Sequence, residues 1–323
     1  MIDFNTKTTV PGIKSENHCI YSDLPRLLRS RHWAKELKLF SPNPARSMLL
    51  GETRSRFRGR GMEFEEVRRY QPGDDIRTID WRVSARTGST YTKLFCEERE
   101  RPVHIIVDQR NSLFFGSNKH FKSVLAAELA TAIAWAALAG SDRIGGQIIG
   151  DLQESDIRAR RNKQAVLAFI HDLNEFNHRL PLTLSEQEHA GNSIADSLQE
   201  CQRITRPGTA IFIISDCYDF EHNAANALGS LGKHADITLL QITDPLEKNL
   251  PTHGTVAISN GQQHTSVQLN SQLHSAYYQH YEQRQKCLQD AAKSVHALHA
   301  EISTTQTARE SLQQLFGHSK RKR

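Results

Sequence analysis

The sequence is poor in the features that announce most kinds of chemistry. It carries five cysteines, Cys19, Cys96, Cys201, Cys217 and Cys287, and no two of them form a CxxC pair. Thiols scattered in this way exclude a disulfide framework and a cysteine zinc site, and they suit a reducing, cytoplasmic compartment. No GxxxxGK[ST] loop is present to cradle a nucleotide, and neither HExxH nor GxSxG occurs. The opening MIDFNTKTTVPG lacks a charged segment followed by an apolar core, so no secretory leader is expected. Long apolar runs are also missing. The most apolar stretch, Val124–Ala139, is rich in alanine, carries Glu128 and falls short of the ~20 residues that span a bilayer. It reads as a packed core helix, with no membrane span expected.

What is present is a chain of 323 residues, 38% apolar and 24% charged, long enough to bury a core without staples. The charge is uneven. Residues 26–101 hold an excess of basic groups, residues 102–319 an excess of acidic ones, and Lys320–Arg323 adds a basic tail. A basic front and an acidic back point to two modules and an anionic partner.

The pattern of elements changes near residue 102. Before it, residues 1–23 read as a lead-in. Asp23 and Pro25 are suited to start a helix running to about Phe40. Glu63–Tyr70 and Thr90–Glu97 read as strands around a turn and a short helical segment. Residues 24–101 are therefore expected to form a small mixed α+β module. Beyond it, Val103–Val107 and Ala210–Ile214 are short, continuously apolar runs that alternate with helical segments. That order predicts a mostly parallel α/β sheet with helices on both faces over residues 102–316, with these two runs as adjacent inner strands. Residues 254–269 read as a hairpin around Asn260-Gly261, and residues 317–323 as a basic tail.

Ligands of open parallel sheets gather at the carboxyl ends of the strands. Two of the expected strands end there in aspartate, at Asp108 and Asp216, and the loop holding Asn192 and Ser193 opens a helix at the same edge. With Ser112, these oxygens would suit a hard cation such as Mg²⁺. The competing reading is that they cap the helices that follow.

The run from Gly59 to Arg86, GRGMEFEEVRRYQPGDDIRTIDWRVSAR, and the later VDQRNSLFFGS from Val107 to Ser117, resemble the signature of the domain-of-unknown-function 58 family. The resemblance extends from about Leu24 to Phe316. It implies a von Willebrand factor A-like domain behind an N-terminal module. Such domains often carry a metal-ion-dependent adhesion site: Asp-x-Ser-x-Ser after the first strand, a Thr from a second loop and an Asp after the fourth strand. Carried onto this chain, those positions are Asp108, Arg110, Ser112, Asn192 with Ser193 beside it, and Asp216. Arg110 stands where the first serine belongs. A guanidinium cannot ligate a cation, and between Asp108 and Asp216 it would repel Mg²⁺ and pair with carboxylates. The site is thus expected to be degenerate and to bind a partner through Asp108, Arg110, Ser112, Asn192, Ser193 and Asp216. No cofactor is expected, Mg²⁺ being the one ion the donors would suit.

Two other clusters compete for attention. Asp74, Asp75 and Asp80 lie among Arg68, Arg69, Arg77, Arg82 and Arg86, which reads as a salt-bridge network with Trp81 packed beneath, or as a nuclease-like acidic site. Arg54, Arg56, Arg58 and Arg60 fall at every second position and would line phosphates if extended; without a nucleic-acid motif this reading is the weaker one. The family resemblance implies work alongside a MoxR-type AAA+ ATPase in chaperone-like assembly or maturation of a protein client. The expectation is a non-enzymatic interaction module, with a metal-dependent hydrolase or nuclease, or a basic nucleic-acid binder, as alternatives.

Overall fold

The computed structural model describes residues 20–40, 62–72, 74–97, 101–180, 192–252, 254–259 and 264–317. The Arg54–Arg60 run, Asn260-Gly261 and the basic tail lie outside them. The chain divides into two compact units, one of residues 1–51 with 102–323 and one of residues 52–101.

The smaller unit is built on two antiparallel strands, β1 (Met62–Arg69) and β2 (Tyr91–Glu97), with a register shift between Phe64 and Glu66. Between them run a 3₁₀ turn (Ile76–Thr78) and a short helix, α3 (Trp81–Thr87). The acidic triplet explains this path. Asp74 pairs with Arg68 at 2.6 Å, Asp75 accepts from the Arg77 amide, and Asp80 caps α3 through the amides of Arg82 and Val83. Gly88 closes α3 in the left-handed region at φ 70°, where a side chain would be strained. Trp81 is not packed beneath this turn. It is 69% exposed, because the cap sets the first residue of α3 facing outward.

The larger unit holds a six-stranded sheet in the order β10-β7-β6-β3-β4-β5. Its strands are β3 (Pro102–Asp108), β4 (Arg143–Ile149), β5 (Glu154–Arg160), β6 (Ala210–Ser215), β7 (Asp236–Thr243) and β10 (Leu298–Ser303). All pairings are parallel except that of the edge strand β5 with β4. The two most apolar runs are neighbours at the centre, Val103 opposite Ala210 and Val107 opposite Ile214, and the mostly parallel sheet flanked by helices expected of this part of the chain is present. Both faces of these strands are apolar. Val103, Ile105 and Val107 enter one core with Phe212 and Ile214, whereas Ile106 enters the other with Ile211 and Ile213. Two-sided burial is why they read as unbroken runs.

Helices α4 (Lys122–Ala139), α5 (Lys163–Arg179) and α10 (Ala308–Phe316) supply the first core; α6 (Ile194–Ile204), α7 (His222–Leu231) and α9 (Ser271–Ser294) supply the second. A four-residue helix, α8 (Pro245–Lys248), follows β7, and β8 (Gly254–Ser259) pairs with β9 (His264–Leu269) as the expected hairpin. At Gly146 an added Cβ would sit 2.6 Å from the Phe169 ring and 2.8 Å from the Ile105 carbonyl, so this glycine lets α5 lie close on the sheet.

The expected border at residue 24 is corrected. Residues 24–40 belong with the sheet, not with the strands of the smaller unit. Helix α4 is apolar all round and almost wholly buried, so its outward face needs a cover. By length and composition it is also the one helix among the described residues apolar enough to cross a membrane. Here the cover is α1 (Leu24–Arg29), α2 (Arg31–Ala34) and the segment to Phe40, contributing Leu27, Ala34, Leu37 and Leu39 to the first core. The single helix expected over this stretch is broken at Ser30, and Asp23 stands at the cap position without a side-chain capping bond. The end of the lead-in is held too. The Ser22 amide donates to Asn177 Oδ1 at 2.7 Å, and its hydroxyl to Asn174. Arg26 reaches the buried Glu128 carboxylate at 2.6 Å.

A cation-filled site at the carboxyl edge of the sheet

In this strand order the chain winds outward in both directions from β3 and β6, so the crevice between their carboxyl ends is the topological switch point. Asp108 ends β3, and Asp216 directly follows β6. Cys217, in the left-handed region at φ 54°, turns the chain sharply after Asp216, and its amide is held by Ser215 Oγ at 2.9 Å.

Arg110 occupies this crevice. Its Nε and Nη2 donate to the two oxygens of Asp108 at 3.0 and 2.7 Å, and its Nη1 and Nη2 donate to the two oxygens of Asp219 at 2.6 and 2.8 Å. Nη1 also donates to the Asn192 carbonyl at 3.1 Å. Asp108 is fully buried and takes a further bond from Ser215 Oγ at 2.7 Å. Arg110 thus pairs with Asp108 as expected, but its second carboxylate is Asp219, not Asp216.

Asp216 has a different cation. Lys122, the first residue of α4, is 2% exposed, and its Nζ lies 2.8 Å from Asp216 and 2.6 Å from Glu247. Ser112 Oγ approaches Asp216 at 3.4 Å. Ser193 caps α6 and bonds Asp196, while the Asn192 amide group donates to the Gly150 carbonyl at 3.2 Å. Of the expected residues, then, Asp108, Arg110, Ser112, Asn192 and Asp216 converge, and the Ser193 hydroxyl is engaged with its own helix.

Burial, the largest influence, pushes the Asp108 carboxyl above its ordinary value; the bonds and charge of Arg110 offset part of this, and neighbouring Asp216 adds to the rise. At Asp219 burial also acts upward, but Arg110 and the Ile194 amide outweigh it and hold the carboxyl below its usual range. Burial works to lower the pKa values of Arg110 and Lys122, and their carboxylates outweigh it, so both stay charged.

Lys122, Asp219 and Glu247 complete the site. Lys122 had a signal: a lone cation at the N-terminus of an otherwise apolar helix opposes the helix dipole and calls for an acidic partner. Mg²⁺ does not fit this arrangement. The carboxylate oxygens it would need are taken by a guanidinium and an ammonium, the Asn192 amide is turned to Gly150, and no group of three or more acidic, histidine or cysteine side chains able to hold a metal occurs among the described residues.

The fold and the switch-point site define a mostly parallel α/β protein whose crevice carboxylates are paired with its own cations. The sequence profile of the family described as Protein of unknown function DUF58 matches residues 66–288, and the chain belongs to that family. It is 28% identical over 211 residues to the uncharacterized protein Rv1480 of Mycobacterium tuberculosis, covering 63% of this chain and 62% of that protein; the chain thus spans under two thirds of the length of that relative. Among solved structures it is similar to the conserved hypothetical protein BatB from Bacteroides thetaiotaomicron (15% identity, TM-score 0.42, 66% of this chain and 96% of the other). It is also similar to a von Willebrand factor type A protein from Catenulispora acidiphila (15% identity, TM-score 0.39, 70% and 43%).

Proposed function

We propose that this protein is a non-enzymatic interaction module that binds another protein through the carboxyl edge of its sheet, working in the cytoplasm with a MoxR-type AAA+ ATPase in the assembly or maturation of a protein client. The observation that carries the reading is the Asp108–Arg110–Asp219 cluster: the position at which related domains would hold a metal is closed by an internal cation, so the edge is a fixed surface and not a reaction centre. Around it stand Leu152 and Tyr218, 60% and 66% exposed, on the loops after β4 and β6. Exposed apolar groups on rigid loops beside buried charge suit recognition. Arg110 is itself nearly buried, so the rim makes the first contact, and Arg110 and Asp108 hold the loops that present it.

A metal-dependent hydrolase or nuclease finds less support, since the carboxylates it would use are bound by cations here or cap helices in the smaller unit. The test is direct binding of the purified protein to a purified MoxR-type ATPase, with and without ATP and Mg²⁺. Binding is expected, and Leu152→Ser with Tyr218→Ser should weaken it about tenfold or more. Absence of binding under both conditions would refute the ATPase partnership; binding unaffected by the double substitution would place the interface elsewhere.

A further inference from the structure

The opposite, amino edge of the sheet holds a cavity of about 470 Å³ on the β3–β4–β5 side, just beyond the end of α6. That volume lies within the ~300–1,000 Å³ of small-molecule sites. Its lining combines apolar walls with an excess of positive charge. Pro102 of β3 and Ile204, the last residue of α6, contribute apolar surface, and Ile204 is 40% exposed. Three arginines, Arg143, Arg158 and Arg206, line the same cavity. None of the three side chains has a hydrogen bond or ion pair among the described residues, unlike Arg110, whose every nitrogen is engaged.

His104 of β3 also lines the cavity. Its side chain is buried, and its Nε2 has no hydrogen-bond partner among the described residues. An unsatisfied buried nitrogen is costly unless something arrives to bond it. Burial lowers the His104 pKa to about 4, so the ring is neutral near pH 7 and can offer an N–H without carrying charge. One carboxylate, Asp156, shares the wall; burial and the nearby Glu200 and Glu154 raise its pKa. Three cations against one acid give the lining an excess of positive charge.

We propose that this amino-edge cavity binds a small molecule made of an apolar body and an oxyanion, a carboxylate or a phosphate monoester, with Arg143, Arg158 and Arg206 taking the anion and Pro102 and Ile204 the body. Guanidinium forks match both anions, and an apolar body would cover the exposed Ile204. The volume favours a small ligand over a polymer, and the site lies at the other end of the strands from the proposed protein-binding edge, so each can fail without the other.

The experiment titrates the full chain with phenyl phosphate, benzoate and inorganic phosphate, following heat of binding and the imidazole resonances of His104. Phenyl phosphate or benzoate should bind saturably and shift the His104 signals, the tighter of the two identifying the anion. Inorganic phosphate should bind about tenfold more weakly, for want of the apolar body. Replacing the three exposed arginines together (Arg143→Gln, Arg158→Gln, Arg206→Gln) should weaken binding about tenfold or more while the thermal transition stays in place. Ile204→Ser should weaken phenyl phosphate and leave inorganic phosphate unchanged. No saturable binding by either organic anion would overturn the proposal. So would binding that survives the arginine substitutions or leaves His104 unmoved.

Discussion

The two edges of the sheet handle charge in opposite ways. At the carboxyl edge Arg110 and Lys122 are buried and every one of their charges is answered within the chain, by Asp108, Asp219, Asp216 and Glu247. At the amino edge Arg143, Arg158 and Arg206 are exposed, with no hydrogen bond or ion pair among the described residues, around an open cavity. Desolvation explains the difference. A buried charge without a partner costs several kcal/mol, so the crevice between β3 and β6 can hold carboxylates only if cations come with them. An exposed guanidinium keeps its water and remains available. A closed charge set makes a rigid platform; an open one makes a receptor.

The comparison breaks most sharply at Arg110. Arg110→Met would leave Asp108 buried with Ser215 as its remaining side-chain partner, at a cost of about 3–5 kcal/mol. Thermal unfolding should show a fall in Tm of roughly 10 °C, and Asp108→Asn in the same chain should recover much of it. A small loss from Arg110→Met alone would mean that the cluster is solvated and not closed. The same logic limits what restoring Asp-x-Ser-x-Ser can do. Arg110→Ser alone leaves the Lys122 ammonium on Asp216, so no Mg²⁺ binding is expected in calorimetry. Arg110→Ser combined with Lys122→Ala frees both carboxylates and should bind Mg²⁺, with a stabilisation that grows with its concentration. Mg²⁺ binding by the single variant would show that Lys122 yields its place.

The edges should also separate by pH. His104 is buried and neutral, with a folded pKa of about 4 against an ordinary 6.5. The unfolded chain therefore takes up a proton first as pH falls, and stability should drop between pH 6.5 and 4 by about 3 kcal/mol. His104→Leu should remove that slope, as read by denaturant unfolding at a series of pH values; an unchanged slope would assign it to another histidine. Asp219 works lower on the scale. Its folded pKa is depressed, so its contribution is complete above the ordinary carboxylate value of 3.8 and is lost only as pH falls through the folded pKa. Asp219→Asn should flatten that acid limb and leave the His104 window intact.

Much of the fold was legible because burial leaves a periodic mark. The strands buried on two faces are unbroken apolar runs, the edge strand β5 alternates, and both aspartates of the crevice sit where strands end. What was not legible depends on contacts between distant segments. Nothing local says that residues 24–40 cover α4, since their leucines would serve a helix of either unit equally well. Nothing near Asp216 says that its cation comes from Lys122, 94 positions away. Arg110 was expected to pair with Asp108 and Asp216; it pairs with Asp108 and Asp219, and the second partner could not be read from the spacing. A charge reversal there, Arg110→Glu, is thus expected to unfold the crevice and is no clean probe of partner binding. His104 was invisible for the opposite reason: within an apolar strand it looks like any core histidine, and only the cavity beside it and its unpartnered Nε2 set it apart.

The smallest expected effect sharpens the comparison from the second unit. Trp81 and Asp80 are adjacent, and reading the turn as a packed network would make the tryptophan the more costly of the two to lose. The geometry reverses that order. Trp81 is 69% exposed, so Trp81→Ser should change stability by no more than about 0.5 kcal/mol. Asp80 accepts two amide bonds at the start of α3 and faces Lys93 at 3.6 Å, and those amide bonds hold its carboxyl below the ordinary range. Asp80→Ala should therefore destabilise the unit more than Trp81→Ser does. Amide hydrogen exchange at Arg82 and Val83 separates the two variants: protection should fall in Asp80→Ala and stay at the wild-type level in Trp81→Ser. Equal loss in both would mean that the tryptophan is packed after all, and that α3 is held by its side chain as much as by its cap.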